Sequence, residues 1–194
     1  MKTPARSLTL MFLVICLAGQ AAAEEACPPA EPKVPRGIVL RTALGTAIWT
    51  GEIGDSSEVG LGFTFGAGYE FFSWLAVEAS WSTGFHDTNQ PFPPSPGNFA
   101  THAFHFTSRF TLPLGAFDLF LRGGVGWTWS QPDILIRIEE FDAASRFSWL
   151  GGGGFSWHTP RRKVWIGLEC NAIGSISSFG GIWIVSSAVL GVTL

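Results

Sequence analysis

The sequence predicts an all-β protein, an eight-stranded antiparallel transmembrane β-barrel over residues 37 to 194. Three observations point there. Charged residues make up only 14% of the chain and the mean hydropathy is positive, whereas globular chains carry about a quarter charged residues. Beyond residue 23, however, no uncharged apolar run reaches the roughly 18 residues expected of a membrane helix. Instead, segments of about ten residues or more change face at every second position, and short and long connections join them in turn. A chain this apolar without membrane helices suits alternating strands in lipid. A soluble barrel would hide its apolar residues inside and show a more charged exterior.

The chain opens with Lys2 and Arg6, an apolar run from Leu8 to Leu17, and the small residues Ala21, Ala22 and Ala23 before Glu24. That is the pattern of a secretory signal peptide over residues 1 to 23, and the run is short for a membrane anchor. Cys16 follows the bulky Ile15, which disfavours a lipoprotein. Residues 24 to 36 are polar and carry Pro28, Pro29, Pro32 and Pro35, so they read as an extended periplasmic tail. The remainder has the length of one domain. Without Lys2 and Arg6, residues 24 to 194 hold 10 basic and 15 acidic residues, a formal charge of −5, which argues against a nucleic-acid partner.

The second segment shows the alternation best. Val59, Leu61, Phe63, Phe65, Ala67, Tyr69 and Phe71 alternate with Glu58, Gly60, Gly62, Thr64, Gly66, Gly68 and Glu70, giving one broad oily face and one small, polar face. In the first segment, residues 37–50, Ile38, Leu40, Leu44 and Ile48 oppose Arg41, Ala43, Gly45 and Ala47. The third, 74–85, sets Leu75, Val77, Ala79 and Trp81 against Glu78 and Ser80. The fourth, 101–112, sets Phe104, Phe106, Phe110 and Leu112 against His105, Thr107 and Arg109. In the fifth, 117–130, Leu119, Leu121, Val125, Trp127 and Trp129 oppose Arg122, Thr128 and Ser130. The sixth, 146–157, has its faces blurred by Gly151 to Gly154, a run that can relieve curvature. The seventh covers 164–172 and the eighth 182–194.

Connections at 72–74, 113–116 and 159–163 are short, as periplasmic turns are; those near 51–57, 86–100, 131–145 and 173–181 are longer and belong outside. Tryptophan favours membrane boundaries. Trp49, Trp127, Trp129, Trp149 and Trp183 fall near the outer strand ends and Trp74, Trp157 and Trp165 near the inner ends, which reads as two belts; Trp81 fits neither. Cys27 in the tail and Cys170 on an outward face lie at different depths, so free thiols, or an intermolecular bond through Cys27, are expected.

These segments resemble the small outer-membrane barrels of the OmpA transmembrane-domain and OmpX type. The resemblance covers residues 37 to 194, rests on pattern rather than on a sharp motif, and implies residence in the Gram-negative outer membrane, in contact with its lipid. Such barrels usually end in an aromatic residue, where this chain has Leu194. Some of them act on lipid A. The lipid A deacylase family carries a His and a Ser close together on a late strand, but the corresponding stretch here reads Leu168, Glu169, Cys170, Asn171 and Ala172, without a histidine. His86, Asp87, His102 and His105 match no strong metal-ligand spacing, and His102 and His105 have opposite parity in a strand. Nor do Gly60, Gly62, Gly66 and Gly68 form a nucleotide fingerprint; they read as small positions that leave room in the lumen. No catalytic, cofactor or metal site is expected.

The candidate site is the lumen. Parity turns Arg41, Arg109 and Arg122 inward together with Glu70, Glu78 and Glu169, three charges of each sign. An eight-stranded barrel is only wide enough for side chains to fill it, and buried charges need partners. A closed charge network is therefore expected there. The acidic first and third outer loops read as solvated rim, and the second, with Pro91, Phe92, Pro93, Pro94, Pro96 and Phe99, as the better surface for a protein partner. The function expected is a non-catalytic barrel that contributes to envelope structure or presents its loops to a partner, alone or in an outer-membrane assembly. The alternatives are a lipid A-modifying enzyme and a small-solute channel.

Overall fold

In the computed structural model, residues 37–88, 98–131, 145–159, 163–176 and 181–194 are described. The stretch expected as a signal peptide, the proline-rich segment with Cys27, and most of the second, third and fourth outer loops lie outside them. The strands are β1 (Ile38–Trp49), β2 (Gly60–Phe72), β3 (Leu75–Asp87), β4 (Asn98–Leu114), β5 (Phe117–Gln131), β6 (Ser145–His158), β7 (Val164–Ser175) and β8 (Ile182–Thr193), with one short helix, α1 (Glu52–Ser56), between β1 and β2. They form a closed antiparallel barrel in sequence order. Closure is made by β1 against β8, from Val39↔Thr193 to Trp49↔Trp183. No sheet edge is left, so backbone donors and acceptors are satisfied within the wall, as a membrane interior requires.

Faces follow the alternation. Ile38, Leu40 and Leu44 of β1, Leu61, Phe65 and Tyr69 of β2, and Leu119, Leu121 and Trp127 of β5 are exposed, while Arg41, Thr64, Glu78, His105, Arg122 and Glu169 are buried. This inside-out distribution suits lipid outside and a polar packed lumen. Cys170 is exposed with a free thiol, which accepts from the Ser186 hydroxyl at 3.4 Å. Among the described residues no helix is long and apolar enough to cross a membrane.

Several strand ends run further than the sequence suggests. β3 continues through His86 and Asp87 and β4 begins at Asn98, paired as His86↔Phe99 and Asp87↔Asn98; β7 continues to Ser175. Cross-strand pairing carries the hairpins upward even where apolar alternation fades. The inner turns between β2 and β3 and between β4 and β5 are tight, with Gly115 at φ 73° in the second. The glycine run of β6 pairs regularly on both sides, from Phe120↔Gly154 to Gly151↔Ala172.

The tryptophan belts need correction. Trp127, Trp149, Trp74 and Trp157 are exposed on the outer wall, but Trp183 and Trp165 are buried in the lumen. Trp49 packs with Trp183 against Ala47, Ala103, Leu150, Ile173 and Val185. Trp165 packs with Val39, Ala43 and Val189. Trp81 lies outward and stacks on His102 with ring centroids 6.0 Å apart, so a lipid-facing histidine explains its place.

Candidate functional site

The lumen is filled in layers. At the inner end, Asp118 of β5 meets His158 of β6, Oδ2 to Nε2 at 2.8 Å, and Ser156 Oγ lies 3.2 Å from the same nitrogen. Sequence reasoning did not bring these three together, although Asp118↔Ser156 is a cross-strand pair and His158 follows two residues later on the same face. They are a serine, a histidine and a carboxylate, yet both partners approach one ring nitrogen. A triad instead holds the carboxylate and the nucleophile on opposite nitrogens.

Above this layer lie the arginines and glutamates. Glu78 of β3 is fully buried and receives three guanidinium groups: Arg41 Nε at 3.0 Å, Arg122 Nη2 at 3.0 Å and Arg109 Nη1 at 3.2 Å. Glu169 of β7 receives Arg41 Nη1 at 3.0 Å and Arg122 Nη1 at 3.5 Å. The two carboxylates thus clamp Arg41 and Arg122 from opposite walls. Arg109 also lies over the rings of Trp165 at 5.6 Å and Phe120 at 6.0 Å, and Arg122 over Phe120 at 5.7 Å, contacts that favour a desolvated cation.

All six residues singled out by parity are buried, and five of them form this ionic layer. Glu70 is the exception. It stands toward the inner end, where the charges acting on it are those of Arg109, His158, Asp118 and Glu78, and among the described residues no ion pair within 4.0 Å joins it to an arginine. The layer itself therefore holds three positive and two negative groups. Glycine supplies the room: a Cβ on Gly66 would lie 2.9 Å from Arg41 Nε.

Further out, His105 Nε2 lies 3.0 Å from Ser148 Oγ, which accepts from the Thr128 hydroxyl at 2.9 Å, and Thr64 and Ser82 share a hydrogen bond of 2.9 Å. Above these sit Trp183, Trp49, His86 and Phe99. Ile53 of α1 is buried. The histidines considered as ligands are dispersed: His86 and His105 face the lumen, and His102 faces outward between Trp81 and Trp129. Among the described residues no group of three or more His, Cys, Asp or Glu is placed to hold a metal ion.

The geometry defines a class, the small outer-membrane barrel whose lumen is packed with side chains. Comparison with solved structures agrees on the fold. The chain is similar to Neisserial surface protein A, with 12% identity and a TM-score of 0.60 over 81% of this chain and 97% of that one. It is also similar to the N-terminal β-barrel domain of Pseudomonas aeruginosa OprF, with 8% identity and a TM-score of 0.54 over 82% of this chain and 99% of that one. The outer membrane enzyme PagL aligns with 11% identity and a TM-score of 0.47, over 80% and 99% of the respective chains. No family description and no curated protein matches the sequence. The chain has the fold of the small eight-stranded outer-membrane barrels.

Proposed function

We propose that the chain is exported by a cleaved signal peptide to the Gram-negative outer membrane. There it does no chemistry of its own, contributes to envelope structure, and presents its long outer loops to a protein partner. The observation that carries this reading is the filled lumen: an ionic layer of five buried side chains below and an aromatic layer above. A path for solute would have to break both. The apolar wall belongs to lipid, which leaves the loops as the surface for partners.

Purified protein in planar bilayers tests the reading. Little steady conductance is expected, and large stable channels would replace this function with the small-solute channel. Mass spectra of lipid A from cells with and without the gene should match; a change in acylation or headgroup would favour the lipid A-modifying enzyme.

A further inference from the structure

At the outer end of the lumen, His86 stands between two groups that fix its protonation state. The Trp183 indole N–H donates to His86 Nε2 at 3.2 Å. An indole N–H only donates, so Nε2 carries a lone pair. On the opposite side Nδ1 lies 3.2 Å from the Glu58 carbonyl oxygen, which only accepts, so Nδ1 carries the hydrogen. Both bonds form together in one species alone, the neutral imidazole protonated on Nδ1.

The surroundings depend on that ring. His86 is 1% exposed, stacks on Phe99 with centroids 5.2 Å apart and meets Trp183 edge-on at 6.4 Å. Trp183 stacks on Trp49 at 6.2 Å, and the Trp49 indole donates to Thr101 at 3.3 Å. Rings from β1, β3, β4 and β8 thus meet at the mouth. Only the histidine among them gains a proton near neutral pH.

We propose that this quartet is an acid-released latch: protonation of His86 detaches Trp183 and opens the outer vestibule of the barrel down to the layer of His105 and Ser148. The added hydrogen on Nε2 points at the Trp183 N–H, donor against donor, while the Nδ1 bond to Glu58 survives. Trp183 gives way and its stack on Trp49 goes with it, whereas the rim at Glu58 stays attached. The charged groups nearby among the described residues are Asp87, next on β3, and Glu58 ahead of β2. Both side chains are exposed, and both favour the cation without replacing the lost bond. From β4 and β8 the ring meets the uncharged Phe99 and Trp183, and Trp49 of β1 lies behind Trp183.

The test uses the full-length folded protein in detergent micelles. Nitrogen-15 spectra of labelled histidine at about pH 7 should show His86 neutral and protonated on Nδ1. The near-ultraviolet circular dichroism of the Trp49–Trp183 stack should fall reversibly between about pH 7 and about pH 4, across the range where histidines charge. His86→Gln supplies the control, because its amide offers an acceptor to Trp183 and a donor to Glu58 at every pH; its signal should stay constant. A His86 that is cationic or protonated on Nε2 at neutral pH overturns the proposal. So does an acid transition in His86→Gln equal to that of the wild type.

Discussion

Replacing Glu78 with alanine is the sharpest perturbation of the lumen, because one carboxylate there serves three arginines at 3.0, 3.0 and 3.2 Å. Losing one partner of a buried pair costs about 3 to 5 kcal/mol, since the other charge is left uncompensated. Here Arg41 and Arg122 retain Glu169, but among the described residues Arg109 keeps no glutamate within ion-pair distance and is left with its aromatic contacts. The layer goes from three positive and two negative groups to three and one, so repulsion among the guanidiniums adds to the loss. The expected destabilisation is at least about 3 kcal/mol, at the scale of a single broken pair. Reversible urea unfolding in lipid vesicles, followed by tryptophan fluorescence and by band shift, measures it. Adding Arg109→Ala should cost less than the two single changes summed, because the second change removes the stranded charge. A Glu78→Ala protein within about 0.5 kcal/mol of wild type, the range of ordinary surface changes, would show that water rather than neighbouring side chains satisfies these arginines, as would an additive double mutant.

Closure predicts that unboiled protein runs faster than boiled protein in detergent electrophoresis, because a sheet without edges has nowhere to unzip; identical mobility would count against the barrel. Gly66→Val pushes a side chain against Arg41 and should cost about 1 to 3 kcal/mol, the range for overpacking, measured by the same urea titration. In a Cys27→Ser background, Cys170 should react with a lipid-partitioning maleimide in vesicles and resist a membrane-impermeant one, with intact-mass spectra as the readout. Equal labelling by both would place its strand face in water.

Much of this architecture is legible in the chain because period-two alternation states both the strand and its face. The inward parity of Arg41, Glu78, Arg109, Arg122 and Glu169 could be read directly. Which arginine meets which glutamate could not, because that depends on how far each strand is sheared against the next, and Glu70 consequently falls outside the ionic layer. Trp49, Trp165 and Trp183 teach a different lesson. Each carries the inward parity of its own strand, so the signal was present, and the general preference of tryptophan for membrane boundaries outweighed it. Trp81 was puzzling only because its partner His102 lies on the next strand. The set of Asp118, Ser156 and His158 needed the β5–β6 register, which alternation does not encode.

The seam between β1 and β8 also sets the order of events in folding. Seven of the eight strand pairings join neighbours in the chain and need only short loop closures, whereas the eighth joins Val39 to Thr193 and carries the entropy of a loop as long as the barrel sequence. Arg41 sits on the seam strand, and its bond to Glu169 spans 128 residues. An open sheet of eight strands would leave this guanidinium hydrated and Glu169 without it, so the charges dehydrate only as the cylinder shuts. Contacts made that late add little to the rate of assembly and act chiefly on escape from the native state. The ionic layer is then a brake on reopening, and the lifetime of the folded barrel in the membrane rests on it more than its speed of insertion does.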